Sequence, residues 1–188
     1  MKSSRLLCIG LIATVVFTAC SSSKKLEKVT KAQEITIPLS DSKYKTDKDF
    51  FRAKQVGKSP DVATAKKIAL LNAKAELAGN IKSLIKRVTD EYTNQRTVGN
   101  KQEFENKFEE LTREVVDQTI TDVKLIDEKI LKEQDNSFSY WAAIEVPKQS
   151  VLDAVTTKIT KNEKLQLDYD KKKFEDIFNT EMEKLSNQ

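Results

Sequence analysis

One stretch dominates what this chain can fold into. Across residues 60–92 side chains on one stripe, nearly all apolar, return every three or four positions: Val62, Ala65, Ile68 or Ala69, Leu71 or Asn72, Ala75, Ala78, Ile81, Leu84 or Ile85, and Val88. That is the period of an α-helix with one buried face. Ser59 can cap its start, Pro60 suits a first helical turn and Asp61 complements the dipole. The first half is crowded with alanine, at Ala63, Ala65, Ala69, Ala73, Ala75 and Ala78. Small side chains let a helix sit close to a sheet or another helix, and Gly79 leaves room for a slight bend. A helix of this length is about 45 Å long, more than a small sheet can cover. Part of it must therefore pack on something else.

The surrounding segments supply that sheet. Residues 50–58 read as a strand, with Phe51, Ala53 and Gln55 on one side and Arg52, Lys54 and Val56 on the other. Gly57 permits an unusual backbone angle at its end. After a polar turn over residues 94–102, Phe104, Phe108, Leu111, Val115 and Val116 form a second helical stripe. The period then drops to two. Val123 and Leu125 alternate with polar residues, Ile130 falls out of step, and a bulge near Ile126 and Asp127 explains the slip. Asp135, Asn136 and Ser137 are turn residues. Phe138, Tyr140, Ala142, Ile144 and Val146 make the clearest strand, so the two runs predict an antiparallel hairpin. Pro147 ends it, and Val151, Leu152, Val155 and Ile159 open another helix. A charged C-terminal helix over residues 161–188 keeps a stripe of Leu167, Phe174, Ile177, Phe178, Met182 and Leu185. The stripe can pack on its own domain or serve a protein partner or a second copy. The fold class is α+β: a small antiparallel sheet against a long Ala-rich helix, a further helix after the hairpin, and a C-terminal helix.

The N-terminus carries an address. Lys2 and Arg5 precede an apolar run over residues 6–17, too short to span a bilayer, which takes roughly 20 apolar residues. It fits the core of a secretory signal peptide. Phe17-Thr18-Ala19-Cys20 resembles the lipobox of bacterial lipoprotein signals, with Phe17 where leucine is usual. The resemblance implies removal of residues 1–19 and lipid on Cys20, diacylglycerol plus an acyl chain such as palmitate. Two or three chains hold a protein on a membrane where one is marginal. Residues 20–46, rich in Ser, Lys and Thr, read as the lipidated cysteine and a tether. Ile35, Ile37 and Leu39 within it allow a short edge strand, and the domain proper covers 47–160.

Composition narrows the chemistry. There are 33 basic and 29 acidic residues. Losing Lys2 and Arg5 leaves 31 against 29, about +2, which is too even to predict nucleic-acid binding. The chain has no histidine, and of its two cysteines Cys8 leaves with the signal while Cys20 takes lipid. Ser-His-Asp and Cys-His catalysis are therefore ruled out within the chain. No metal site, cofactor or catalytic residue is expected. Glu76, Glu105, Glu109 and Glu110 read as solvated helix charges.

The order strand, long helix, second helix, hairpin, helix resembles the LPP-twenty family of bacterial lipoproteins. It is also similar to the related N-terminal domain of the flagellar assembly protein T. Carrying the resemblance are Phe51-Arg52-Ala53, Gly57-Lys58-Ser59, Ala65, Ala69, Ala73, Ala75-Glu76-Leu77-Ala78 and the run from Trp141 to Val146. It covers residues 48–160. The family often has a second glycine two residues before Gly57, where this chain has Gln55. The resemblance implies a lipid-anchored envelope protein, at the outer membrane, with a compact α+β domain and no agreed catalytic residues. Two function classes follow: a non-enzymatic structural or protein-interaction role, or a receptor holding a small ligand between the long helix and the sheet. For binding, Arg52, Lys54 and Lys58 can form a cationic patch beside the helix start, which itself favours anions. Trp141, flanked by Tyr140, can stack on a ligand or pack on a neighbouring helix.

Overall fold

The computed structural model describes residues 35–95 and 100–187. Cys20, its signal and most of the tether lie outside the described residues. The described elements run β1 (Phe50–Ser59), α1 (Val62–Asn94), α2 (Lys101–Thr121), β2 (Lys124–Lys132), β3 (Phe138–Pro147), α3 (Lys148–Lys161), α4 (Glu163–Leu167) and α5 (Lys171–Ser186). A single 3₁₀ turn, Ser42–Tyr44, precedes β1. The strands form one antiparallel sheet in the order β1-β3-β2. The expected α+β architecture is present, with α1 laid on the sheet.

The seam between α1 and the sheet is built from small groups. Phe51, Ala53 and Gly57 of β1 and Tyr140, Ala142, Ile144 and Val146 of β3 share the face toward α1. From α1, Ala65, Ala69 and Ala73 meet that face fully buried, one every four residues. Gly57 has no positive φ, so backbone freedom is not its role. A Cβ built there would stand 2.2 Å from the Ala65 carbonyl oxygen and 2.5 Å from the Ala69 nitrogen. Its use is the close approach of two backbones.

Beyond the sheet α1 changes partner and side-chain size. Leu77, Ile81, Leu84, Ile85, Val88 and Tyr92 are fully buried in the main core with residues of α2, α3 and α5. Tyr92 stacks on Phe104 of α2 at 6.2 Å and meets Phe174 of α5 edge-on at 5.8 Å. Its hydroxyl donates to the Asp168 carbonyl at 2.8 Å and accepts from the Asp170 N–H at 2.7 Å. Thus the part of α1 that overhangs the sheet is roofed by helices.

Other sequence expectations change. The α1 cap is Asp61, which accepts from the Thr64 N–H at 2.7 Å, while Ser59 ends β1. The C-terminal segment is two helices, because Asn162 caps α4 and Asp170 caps α5. Leu167 falls at the break and is 84% exposed, whereas Phe174, Ile177, Phe178 and Met182 are buried in the shared core. The stripe therefore packs within the chain. Finally, Leu39 and Tyr44, placed in the tether by sequence, are buried against Ala143, Ile126 and Trp141 on the outer face of the sheet. No strand forms at residues 35–39. The bulge does fall where expected, between Leu125 and Asp127.

Two substitutions test this packing by chemical denaturation. Gly57→Ala pushes a methyl group into backbone, not into a movable side chain, and should destabilise by about 2 kcal/mol or more. Phe178→Ala should cost about 3–5 kcal/mol if α5 is part of the core. Near-wild-type stability for either contradicts the packing described.

Candidate functional site

The strand register puts all four sequence-predicted binding residues on the outer face of the sheet, away from α1. Arg52 stands opposite Glu145, Lys54 opposite Ala143, Val56 opposite Trp141 and Lys58 opposite Ser139. Alternation along a strand forces this once Gly57 faces inward. They share a face, and Arg52 and Lys54 also line one cleft with Glu76 and Asn80 of α1, but Lys58 and Trp141 do not join them there. Arg52 and Lys58 are six residues apart, about 20 Å along a strand.

Each cation is also committed. The Arg52 guanidinium donates to Glu145 at 3.0 Å, Asp47 at 2.5 Å and the Lys45 carbonyl at 3.0 Å. Lys54 donates to the Leu39 carbonyl at 2.8 Å. Lys58 donates to Asp135, in the β2–β3 turn, at 2.9 Å. Arg52 and Lys54 hold down the segment before β1, where Leu39 takes a left-handed φ of 55°. Lys58 ties β1 to the hairpin turn. Trp141 is half-buried beside Leu39 and Tyr44, packing against that segment and not against a helix. Each of the three cations proposed for an anion-binding patch thus also clamps the chain to itself.

Two acids that sequence reading passes over are as well connected. Alternation puts the consecutive residues Asp127 and Glu128 on opposite faces, and the bulge before them decides which face each takes. Asp127 accepts from the Tyr44 hydroxyl on the outer face, with Lys43 3.9 Å away. Glu128 accepts from the Tyr140 hydroxyl and, at 3.0 Å, from Lys66 of α1 on the inner face. The signal in the sequence is the pair of acids at the bulge; their partners are too distant in the chain to read.

These contacts favour the ionised carboxylates. The Tyr44 hydroxyl, then the Glu128 N–H, hold Asp127 below the ordinary carboxylate range. Tyr140, then Lys66, do the same for Glu128. Ser137, then Lys58, hold Asp135 far below it. At Asp47 burial pushes upward, but the Arg52 bond and two backbone N–H donors outweigh it. Burial, then Glu128, push the Tyr140 phenol up.

The seam between α1 and the sheet, where a small ligand is one expectation, is filled by Ala65, Ala69 and Ala73. Open space flanks it: a cleft of about 260 Å³ at the β1 edge is lined by Arg52, Ala53, Lys54, Glu76 and Asn80, among others. A groove of about 370 Å³ between α1 and α2 is lined by Lys82, Lys86, Thr89, Asp90, Glu105 and Thr112, among others. Thr89 and Thr112 there donate to carbonyls of their own helices, at 2.8 and 2.7 Å. Glu76 accepts from Gln55 at 3.2 Å, and Glu109 and Glu110 pair with Arg113 and Lys107 on α2. Among the described residues no group of three His, Cys, Asp or Glu side chains gathers as a metal site would. No family model, curated protein or solved structure matches the chain.

Two measurements check the clamps. Arg52→Ala strands Glu145, which is only 16% exposed, and should cost about 2 kcal/mol. Arg52→Lys should recover only part, because an ammonium cannot bond both acids in the planar fork geometry. For pH, carboxylates depressed in the folded state stabilise it fully above their unfolded values, about 4. That stability is lost as pH falls through the folded values. The melting temperature should be level from about pH 5 to 8 and drop below about pH 4. Asp127→Asn should flatten the drop, and an unchanged acid limb would count against the Tyr44 contact.

Proposed function

We infer that this chain is a lipid-anchored protein of the bacterial cell envelope, at the outer membrane, with a structural or protein-interaction role and no catalysis of its own. One observation carries the reading: an apolar run over residues 6–17, preceded by Lys2 and Arg5, ends at Thr18-Ala19-Cys20. Lipid on Cys20 would leave about 15 residues, rich in Ser and Lys, between the anchor and the compact unit that begins at Thr36. No helix among the described residues is long and apolar enough to cross a membrane.

The fold supports the LPP-twenty resemblance as a proposal. The residues that carry it, Gly57, Ala65, Ala69 and Ala73, are those that let β1 and α1 touch. A pattern of small residues is what such a seam would keep through divergence. A protein-interaction role is favoured over the ligand role because the helix–sheet seam is filled and Arg52, Lys54 and Lys58 are engaged within the chain. A partner would meet α5 through its polar face, since its apolar stripe lies in the core.

Intact mass of the protein extracted from bacterial membranes decides the anchor. The expected species lacks residues 1–19 and carries added acyl mass, and Cys20→Ala should accumulate as unlipidated precursor or be released. A wild-type protein with an unmodified Cys20 contradicts the reading.

A further inference from the structure

The two edges of the sheet differ. On β1 the outward backbone groups are largely covered from within: Thr46 Oγ1 bonds the Arg52 N–H and carbonyl at 2.9 and 3.1 Å, and Asn72 donates to the Val56 carbonyl at 3.3 Å. On β2 all residues but Ile126 and Asp127 are exposed, including the apolar Leu125, Ile130 and Leu131 at 37, 50 and 44%. The Glu133 N–H bonds the Ser137 carbonyl at 2.8 Å, which makes that pair a hydrogen-bonded one. Alternation then turns the backbone groups of Glu128, Ile130 and Lys132 toward the open edge. The Glu128 N–H is met there only by its neighbour's carboxylate, Asp127 Oδ1, at 2.8 Å.

We propose that β2 pairs antiparallel with β2 of a second copy of this chain, about a two-fold axis at Glu128, joining two three-stranded sheets into one of six strands. The argument is the self-complementarity of Lys124–Lys132 once the bulge at Ile126 is left out of the count. Centred on Glu128, Lys129 falls opposite Asp127 of the copy, and Asp127 opposite its Lys129. Both lie on the outer face, in register with Trp141 and Ala143. Ile130 falls opposite Leu125 of the copy, twice, both on the inner face in register with Tyr140 and Ile144. Leu131 falls opposite the stem of Lys124, which can lie over it. Every exposed apolar side chain of β2 thus gains an apolar neighbour, and each opposite-charge pair adds to the ladder. The two Glu128 side chains at the axis do not repel strongly, because each is already paired with its own Lys66 at 3.0 Å.

The bulge and the lysines are devices that discourage indiscriminate edge pairing. Here they also select a register, since a slip by one residue would set Ile130 against a charged residue and break the Lys129–Asp127 pairs. On docking, the Glu128 N–H exchanges the Asp127 carboxylate for a backbone carbonyl of the copy, and Asp127 turns that oxygen to the copy's Lys129. The surface is independent of whether Cys20 carries lipid.

Charge-swapped chains test it by sedimentation of the full chain in mild detergent. Wild type should run as a dimer. Lys129→Glu alone sets carboxylates face to face, and Asp127→Lys alone sets ammonium groups face to face, so each should run as a monomer. Mixed, the two variants place opposite charges at both contacts and should recover the dimer. Leu125→Cys/Ile130→Cys should also give a disulfide-linked dimer on mild oxidation, while Leu71→Cys, exposed on α1, should not. A monomeric wild type, a dimer indifferent to Lys129→Glu, or a mixture that stays monomeric overturns the proposal.

Discussion

The structure depends on one close contact, between the backbone of β1 at Gly57 and the first turns of α1 at Ala65 and Ala69. Side chains larger than methyl on the helix, or a Cβ on the strand, would lift α1 off the sheet. The same economy of size recurs at Ala53, Ala73 and Ala142, all buried along the seam. Because α1 is 33 residues long, fixing its N-terminal half also fixes where its C-terminal half points. That half must find its own cover beyond the sheet. Large side chains, Ile81, Leu84, Ile85, Val88 and Tyr92, take over there, and α2 and α5 close around them. The seam is thin and geometric, while the helical end is thick and hydrophobic, and most apolar burial is in the second.

The outer face of the sheet is governed by charge. Arg52 bridges Asp47 and Glu145, Lys54 reaches the Leu39 carbonyl, and Tyr44 bonds Asp127, so a short segment before β1 lies along the strands. Arg52 is worth more than a surface pair because its side chain is only 12% exposed and all three of its contacts lie on that segment or on β3. Exposed pairs such as Lys101–Glu105 and Lys171–Glu175 contribute little by comparison. The segment covers the face as far as Ile126 and Asp127 of β2; the rest of that strand is exposed, and the open edge lies there.

Elements set by local pattern are legible in the sequence itself. The long helix, the second helix, the hairpin and its bulge follow from periods of 3.6 and 2 and from Asp135-Asn136-Ser137. Features set by contacts distant in sequence are not. Arg52 and Glu145 lie 93 residues apart, Lys58 and Asp135 77, and Lys54 and Leu39 15, so a reading of β1 alone counts three cations and finds no partners. Gly57 reads locally as a place for an unusual backbone angle because its real neighbour, the Ala65–Ala69 turn, is close only after folding. The split between α4 and α5 has a local signal, Asn162 and Asp170 at capping positions, which the continuous apolar stripe obscures. Sharing a strand face is also not the same as sharing a site: Arg52 and Lys54 line one cleft, while Lys58 lies at the other end of β1.

If the seam and the helical roof are one structure joined by α1, they should open together. Native-state hydrogen exchange resolved along α1 measures this directly. The slowest amides on both sides of Gly79, from Ala69 to Val88, should exchange through a single opening with the same free energy and the same denaturant dependence as the slowest amides of β3 and α5. Two classes divided near Gly79, with the sheet half opening well below the helical half, would contradict the account and make the sheet a separately folding attachment.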